Sequence, residues 1–413
     1  MSMERTDVIV VGAGLAGLTA AQVAQRAGAS VLVVDGQSAG GRARSDQRDG
    51  FTFNRGPHAL YNGGAAERVL KSLGVKVTGS PPGAISGLRG DLISPLPTGA
   101  RSLATTKLLN TRGKLAAGRF LGGLGRIDAP KFVGRSVTDW LGNAGLPADT
   151  EALVRMLIRV STYANAPDEF DAGAAIMQMQ MALGSGVLYL DGGWQSMVDR
   201  FTDGLTIRRV AATAVHGETS GVTVVTADGE LSAGSAVVAV GTPAAAASLL
   251  GRAPFEVGPP IEAACLDLGL RRPLAVEGLL GVDVPLYLNT HCPPARLAPP
   301  GHAVVAVARY LARGDDLGPE AQRGELEAHA HRAGLTPDDV VTERYLHRMT
   351  VVGALPMAVH GGLAGRPSVT DSGQSRVMLA GDWVGPEGHL ADACLASGEL
   401  AARTAARRLE RIG

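Results

Sequence analysis

Three glycines near the N-terminus have the spacing of a loop that binds a dinucleotide. Gly12, Gly14 and Gly17 fill a GxGxxG frame directly after the apolar run DVIVV (7–11). In such a loop the first two glycines allow a tight turn that brings backbone N–H groups to a pyrophosphate, and the third lets the next helix pack against the strand. The N-terminus of that helix offers unpaired donors to the phosphates.

An acidic residue follows at the distance expected for a contact with the ribose. Asp35 ends the second apolar run SVLVVD (30–35). Its carboxylate can accept hydrogen bonds from ribose hydroxyls and disfavours a 2′-phosphate, which argues against NADP. A bare glycine frame also occurs in ordinary turns, but the strand, helix and acid together favour a dinucleotide. They do not separate NAD from FAD.

The elements that position these residues form a strand–helix–strand unit. The helix between the two runs has helical spacing and is closed by Gly28, and such a unit has a right-handed parallel crossover. Residues 206–241 alternate apolar and polar side chains around turns, which predicts a β-meander that returns to a buried strand at 236–240. RVMLAGD (376–382) predicts a final buried strand, and 390–411 predicts a long Ala-rich helix.

Composition limits the class of protein. The 413 residues suggest two domains. Lys plus Arg equals Asp plus Glu at 39 each, and aromatic residues make up 4% of the chain, so neither charge nor stacking favours a nucleic-acid partner. The three cysteines are widely spaced, which fits a reducing compartment and no metal site.

Membrane and export signals are missing from the sequence pattern. No window reaches the ~20 apolar residues of a membrane span. The apolar stretch after Asp7 carries no cleavage-site pattern. We therefore expect a soluble, cytoplasmic protein without an integral membrane segment.

Three dense blocks of motifs resemble the superfamily of flavin-dependent amine oxidases and phytoene desaturases. They are GGRARS (40–45), GFTFNRGPHALY (50–61) and AGDWVGPEGHLADACLASGELAA (380–402). Smaller echoes are YLDGGWQSMVDRF (189–201) and RVAATAV (209–215). Two longer segments, 279–301 and 353–369, are most similar to phytoene-dehydrogenase-related proteins.

The resemblance implies FAD as the cofactor and gives roles to particular residues. Arg42 would contact the pyrophosphate, Val210 would offer main-chain groups to the adenine, and Asp382 would bind the ribityl chain or a phosphate. The backbone at 56–58 would lie against the isoalloxazine. The complete set of expected cofactor-binding residues is Gly12, Gly14, Gly17, Asp35, Gly41, Arg42, Gly56, Pro57, His58, Val210, Gly381, Asp382, Leu390 and Ala391.

Two departures from the amine oxidases shift the expected reaction. Amine oxidases commonly place a lysine near flavin N5, and this chain has no lysine after Lys131. They also often have an aromatic residue where this chain has His389. Both differences favour the desaturase side of the superfamily.

Two histidines are candidate catalytic residues. The resemblance places His58 and His389 near the flavin ring, and imidazole titrates close to neutral pH. A capping or packing role is the alternative for each. Tyr163, Tyr287 and Tyr310 are candidates for the pocket wall, with a role in the core as the alternative. Cys394 is read as a buried thiol rather than a covalent flavin ligand.

The predicted fold class is α/β, a Rossmann-like FAD-binding domain (parallel sheet plus β-meander) interleaved with a mixed α+β substrate domain. The FAD-binding domain comprises 1–80, 185–255 and 365–413, and the substrate domain comprises 81–184 and 256–364. Within the substrate domain we expect helices at 103–121, 151–160, 172–183 and 319–334 and strands within 262–310.

The expected function is that of an FAD-dependent oxidoreductase. It would remove hydride from a C–H bond of a fairly apolar small molecule, as a desaturase, dehydrogenase or oxidase. The alternatives are a flavin-dependent amine oxidase, a non-redox isomerase that uses flavin, and an FAD-binding interaction protein without turnover. The sequence leaves open the substrate, the electron acceptor (oxygen, quinone or another), and whether the chain forms a homodimer.

Overall fold

The computed structural model describes residues 6–410, with side chains described for residues 6–407. Two large sheets dominate it. The strands are β1 (Thr6–Val11), β2 (Val31–Val34), β3 (Ser45–Arg48), β4 (Phe51–Asn54), β5 (Leu60–Tyr61), β6 (Gly79–Ser80), β7 (Ile85–Arg89), β8 (Leu92–Pro95), β9 (Val187–Leu190), β10 (Thr206–Arg208), β11 (Ala212–Gly217), β12 (Val222–Thr226), β13 (Gly229–Val238), β14 (Ile261–Leu270), β15 (Gly278–Gly281), β16 (Leu286–Cys292), β17 (Ala303–Tyr310), β18 (Val340–Val352) and β19 (Val377–Leu379). The helices are α1 (Leu15–Arg26), α2 (Ala65–Ser72), α3 (Ala100–Thr105), α4 (Thr111–Gly123), α5 (Val137–Ala144), α6 (Ala148–Thr162), α7 (Ala172–Gly184), α8 (Gln195–Thr202), α9 (Pro243–Leu249), α10 (Pro319–Arg332) and α11 (Ala391–Glu410).

The first sheet has seven strands in the order β10-β2-β1-β13-β12-β11, with β19 paired to β13. The pairs β10–β2, β2–β1, β1–β13 and β13–β19 are parallel, and the meander β11–β12–β13 is antiparallel. Strands β1 and β2 are nearly continuous runs of Val, Ile and Leu, as expected where helices cover both faces of a parallel sheet. Val8, Ile9 and Val10 are accordingly fully buried.

Two details of this sheet differ from the sequence expectation. The segment at Thr206–Arg208 is not part of the meander, since it pairs parallel to β2 at the sheet edge. The returning strand predicted at 236–240 is the second half of the ten-residue strand β13. The first half of β13 pairs with β12 and the second half with β1 and β19. The apolar pattern predicts only the second half of β13, because only that half is buried on both sides.

The second sheet also has seven strands, in the order β18-β14-β17-β16-β15-β7-β8, and only β15–β7 is parallel. Helices α3 to α7 lie within the segment 81–184, and α10 packs on this sheet. The helix expected at 103–121 is two helices, α3 and α4. It breaks because Asn110 caps α4 by accepting a hydrogen bond from the Gly113 N–H at 2.8 Å.

The two ends of the chain meet in the first sheet layer. Strand β19 pairs with β13, and α11 lies against α1. A Cβ atom on Gly398 would lie 2.4 Å from the carbonyl oxygen of Ala16, so the glycine allows the two helices to approach closely. The N-termini of α1 and α11 consequently open toward the same cavity, because Leu15 and Ala391 both line it.

The strands of the first sheet lie within the ranges predicted for the FAD-binding domain, and those of the second sheet lie within the ranges predicted for the substrate domain. The domain boundaries themselves stay a prediction. Across residues 6–410, no helix is both long and apolar enough to cross a membrane.

Candidate active site

The glycine loop between β1 and α1 is shaped by close backbone contacts. Gly12 has a φ of 107°, and a Cβ atom there would lie 2.4 Å from the carbonyl oxygen of Ala239. A Cβ atom on Gly17 would lie 1.9 Å from the carbonyl oxygen of Gly12. These two glycines therefore bring the helix against the strand, as the GxGxxG spacing predicts.

Gly14 is different because the space beside it is open. It is the N-cap residue of α1 and lines the cavity, and a Cβ atom there would meet no atom within 4 Å. No side chain caps the helix. The first-turn N–H groups of α1 are thus available to an anion in the cavity.

Asp35 and the GGR turn complete this end of the cavity. Asp35 lies directly after β2, and its carboxylate accepts hydrogen bonds from the N–H groups of Ala13 and Gln37, both at 2.7 Å. Gly40 and Gly41 have φ values of 110° and 54°, and the Gly40 N–H donates to the Ala13 carbonyl oxygen at 2.7 Å. The carboxylate therefore fixes the loop backbone while it lines the cavity.

Arg42 and Asp382 form an ion pair at the centre of the cavity wall. The Arg42 guanidinium donates to Oδ2 of Asp382 and to the Val351 carbonyl oxygen, each at 2.8 Å. Asp382 is 2% exposed and also accepts from the Gly353 N–H at 3.1 Å. Its other oxygen, Oδ1, is buried without a hydrogen-bond partner. A buried acceptor of this kind needs a donor from a ligand or from water.

These features fit a dinucleotide cofactor such as FAD. The unpartnered Oδ1 of Asp382 can accept from a ligand hydroxyl, and the uncapped N-terminus of α1 can donate to phosphate. The open space beside Gly14 is a cradle that any side chain would fill. The cavity has a volume of about 1220 Å³. This exceeds the roughly 300–1,000 Å³ of an ordinary ligand pocket, so it has room for a cofactor and a substrate.

The N-terminus of α11 reaches the same cavity through a strained turn. Gly388 and Leu390 have φ values of 76° and 54°, and Leu390 and Ala391 line the cavity. Positive φ at a leucine is unusual and is maintained by the surrounding structure. The turn points the positive end of the α11 dipole toward the cavity, where it can stabilise negative charge.

The wall beyond Pro57 is built from tyrosines and aliphatic side chains. Tyr61, Tyr163, Tyr189 and Tyr287 line the cavity, whereas Tyr310 packs behind Tyr163 with ring centroids 5.7 Å apart. The Tyr163 hydroxyl donates to the Pro57 carbonyl oxygen at 2.7 Å. Burial raises the pKa of the Tyr163 hydroxyl well above its ordinary value, so the ring stays neutral.

His58 lies on the cavity wall. Its Nδ1 is 2.9 Å from the Gly56 carbonyl oxygen. Because a carbonyl oxygen only accepts, Nδ1 carries the proton and Nε2 carries the lone pair in the neutral ring. The ring packs edge-on against Trp194 at 4.9 Å. Burial lowers the pKa of His58, so the neutral form is favoured near neutral pH.

His389 lies behind the cavity wall and does not line the cavity. Its Nε2 is 3.1 Å from the Thr162 carbonyl oxygen, and its Nδ1 is 3.3 Å from the Arg366 guanidinium. Both nitrogens are therefore occupied. Burial and the positive charge of Arg366 lower the pKa of His389 to about 4. This placement favours a positioning role for α11, and the catalytic role expected from the sequence stays a prediction.

The other predicted cofactor residues divide between the cavity wall and the layer behind it. Gly12, Gly14, Asp35, Gly41, Arg42, Pro57, His58, Gly381, Asp382, Leu390 and Ala391 line the cavity. Gly17, Gly56 and Val210 do not. Gly56 packs against the Met349 side chain, and Val210 is 5% exposed in the core, with Ala211 and Ala212 at the wall in its place.

An ionic cluster that the sequence reasoning missed lies at the edge of the cavity. Arg344 on β18 donates to Asp267 at 2.6 Å and to Asp46 at 2.6 Å. Burial raises the pKa of Asp267 to about 6, although Arg344 opposes the shift. The polar pattern of β18 gave no sign of a strand, and its partners Asp46 and Asp267 lie far away in the sequence.

Cys394, the remaining candidate from the sequence, lines the cavity. Burial raises the pKa of the Cys394 thiol to about 12, so it is not a reactive thiolate. Among the described residues, no group of His, Cys, Asp and Glu side chains could hold a metal ion.

Comparison with known proteins gives one family and one fold. The sequence profile of flavin-containing amine oxidoreductases matches residues 15–266, more than half of the chain. Among curated proteins, an uncharacterized protein in the nifH2 3′ region of Methanothermococcus thermolithotrophicus is 37% identical over 67 residues, or 16% of this chain. The match spans 66% of that relative, slightly less than two thirds of its length.

Solved structures share the fold over nearly the whole chain. An oxidoreductase from Methanosarcina mazei is 17% identical with a TM-score of 0.75 and covers 96% of this chain and 100% of its own. Cyclohexylamine oxidase from Brevibacterium oxydans is 18% identical with a TM-score of 0.74, covering 98% and 100%. Putrescine oxidase is 16% identical with a TM-score of 0.74, covering 98% and 99%. These likenesses confirm the predicted fold class.

Proposed function

The chain belongs to the flavin-containing amine oxidoreductase family, and from that membership we propose that it removes hydride from a C–H bond of a fairly apolar small molecule. That the protein is an FAD-dependent oxidoreductase follows from the family; the substrate class is the proposed part. One observation carries it. The wall beyond Pro57 is mainly tyrosine rings and aliphatic side chains, and the lining carboxylates of Asp46 and Asp382 are each paired with an arginine.

The residues that would hold FAD are those that line the end of the cavity formed by the β1–α1 loop, Asp35 and the GGR turn. Gly12, Gly14 and the N-terminus of α1 would bind its phosphates, and Asp35 its ribose hydroxyls. Arg42 would add charge to the pyrophosphate, and Asp382 would accept from a hydroxyl through the unpartnered Oδ1. Bound there, FAD supplies the acceptor for hydride.

The chain's own residues orient the substrate and exclude water from it. Tyr61, Tyr163, Tyr189 and Tyr287 present ring faces to an apolar substrate, and the bond from the Tyr163 hydroxyl to Pro57 fixes this wall to the Gly56–His58 turn. An ammonium group would lose its hydration here without gaining a free carboxylate. The surroundings therefore favour a neutral substrate.

His58 can take up a proton that leaves the substrate. Since its Nδ1–H donates to Gly56, the lone pair is on Nε2, and the lowered pKa keeps that nitrogen unprotonated near neutral pH. We propose His58 as the general base. Its pKa, lowered by burial, sets the acid limb of the pH–rate profile below the ordinary histidine value.

Anaerobic mixing of the FAD-loaded protein with candidate substrates tests the reaction. Neutral cyclic alkenes, alkylated aromatics and polyenes should bleach the oxidised flavin spectrum faster than cyclohexylamine or putrescine. Bleaching by the amines alone would replace the neutral class with amines. Product formation without any bleaching or reoxidation would support the isomerase and contradict the oxidoreductase.

A matched pair of histidine variants tests the base. His58→Gln should slow bleaching and flatten its pH dependence. His302→Gln is the control, because His302 makes the same kind of Nδ1 contact, to the Pro300 carbonyl oxygen at 3.2 Å, away from the cavity lining. If both variants keep the wild-type rate and pH profile, the role assigned to His58 is wrong.

A further inference from the structure

Asn289 is a buried amide at the cavity wall whose acceptor has no partner. The residue is 2% exposed and lines the cavity, and its Oδ1 is buried without a hydrogen bond. An amide oxygen in this state destabilises the fold, because it has lost its hydrogen bonds to water and gained none in the protein. Such a group at a cavity wall needs a donor from a ligand or from water.

The strand geometry turns Asn289 toward the cavity and places residues without polar side chains directly opposite it. Side chains of β16 alternate, so Tyr287 and Asn289 share the cavity face, while Leu288 between them packs in the core on the other face. The residues opposite Asn289 on β15 and β17 are Gly278 and Ala306. Neither has a side chain that could satisfy the amide.

The neighbouring hydroxyls are committed to one another. The Tyr189 and Tyr287 hydroxyls are 3.2 Å apart, and the Tyr287 hydroxyl is 3.2 Å from Nε2 of His291. The Tyr189 and His291 rings stack at 3.9 Å. Burial lowers the pKa of His291 to about 3, so this group is uncharged. The Tyr189–Tyr287–His291 group beside Asn289 is thus uncharged and aromatic, and the Asp267–Arg344 ion pair lies beyond Ala306 in the same row of the sheet.

We propose that Asn289 is a specificity-determining residue that accepts a hydrogen bond from a neutral N–H or O–H group of the substrate. This inference rests on the proposed function and deepens it. The substrate class becomes a neutral, mainly apolar molecule with a hydrogen-bond donor. A pure hydrocarbon leaves Oδ1 of Asn289 unpaired. A cation would compete with an arginine for each carboxylate, because Asp46 is paired with Arg344 and Asp382 with Arg42.

Binding of matched probes to the FAD-loaded protein tests the proposal without turnover. β-Naphthol carries an O–H donor, and its methyl ether has the same rings with the donor blocked. By calorimetric titration, the wild type should bind the naphthol about tenfold more tightly, the range of one buried hydrogen bond. Asn289→Leu should reduce that ratio to about one, while Leu280→Met, a change on the same wall, should keep it.

Several results would overturn the proposal. They are equal binding of the two probes by the wild type, a preference that survives in Asn289→Leu, no measurable binding of either probe, and tighter binding of naphthylmethylammonium than of the naphthol. Thermal unfolding gives a second test. Asn289→Leu should unfold at the same temperature as the wild type or higher, whereas a lower midpoint would mean that the amide already has a structural partner.

Failure of this inference differs from failure of the proposed function. If the protein binds FAD and prefers the donor probe, but no substrate reduces its flavin, the role of Asn289 stands and the proposed reaction is wrong. If neutral substrates reduce the flavin but the protein shows no preference for a hydrogen-bond donor, the proposed reaction stands and the role of Asn289 is wrong.

Discussion

Two alanine substitutions in the glycine loop should separate cofactor binding from folding. A Cβ atom on Gly17 would lie 1.9 Å from the backbone oxygen of Gly12, and neither atom belongs to a flexible side chain. Gly17→Ala must therefore push α1 away from β1. A Cβ atom on Gly14 would meet no atom within 4 Å, and its φ of −77° suits any residue. Gly14→Ala therefore leaves the apoprotein unstrained.

The expected magnitudes follow from these contacts. Gly17→Ala should lower the free energy of unfolding by about 1–3 kcal/mol or more, as overpacking does. Gly14→Ala should lower it by about 0.5–1 kcal/mol, the difference between Gly and Ala at an N-cap. The same methyl group occupies the space where a phosphate would approach the N–H groups of α1. Losing one charge-assisted hydrogen bond, about 1.5–3 kcal/mol, weakens FAD binding roughly 10- to 150-fold.

Two measurements on the apoprotein check this contrast. Urea unfolding followed by circular dichroism gives the stability, and quenching of FAD fluorescence on titration gives the affinity. The reasoning is refuted if Gly14→Ala binds FAD like the wild type. It is also refuted if Gly14→Ala destabilises the apoprotein as much as Gly17→Ala does.

Two further predictions concern buried charges. Burial beside Arg366 lowers the pKa of His389 to about 4. Below the ordinary pKa of about 6.5 the unfolded chain therefore binds more protons than the folded protein, and the free energy of unfolding decreases as the pH is lowered. His389→Gln removes this proton, and between pH 7 and pH 5 the wild type should lose about 2 kcal/mol more free energy of unfolding than the variant; parallel urea curves would contradict this. Arg344→Met leaves Asp267 buried and unpaired and should lower the free energy of unfolding by about 3–5 kcal/mol. Adding Asp267→Leu should restore most of that loss in the same assay, and a double variant as unstable as the single one would count against the pair.

The elements around the glycine loop could be predicted from the sequence because their signals are local. The strand, the glycine frame, Asp35 and the closing strand before Asp382 each depend on a short segment with a fixed geometry. Once Asp35 and the GGR turn follow a GxGxxG loop, their distances are set by a single crossover. The roles given to individual cofactor residues stay predictions.

The substrate end could not be predicted because its residues come from strands paired over long distances. Arg344 on β18 donates a hydrogen bond to Asp46, which lies far away in the sequence, and nothing in either segment specifies that pairing. Asn289 looked like one polar residue in a strand, and its importance appears only when Gly278 and Ala306 are seen opposite it. His389 was expected at the ring, but the turn at Leu390 sends its side chain behind the wall.

The meeting of the chain ends in one layer determines when the protein can acquire its cofactor. Strand β13 lacks β19 as a neighbour, and α1 lacks α11, during the interval in which the segments between them are synthesised. At ordinary rates of translation this interval lasts on the order of tens of seconds. During it the nascent chain exposes an open sheet edge and the apolar face of α1, which makes it a client for chaperones. The site is consequently incomplete until β19 and α11 have been synthesised, and a chain shortened before β19 would keep every glycine of the loop and still lack Asp382.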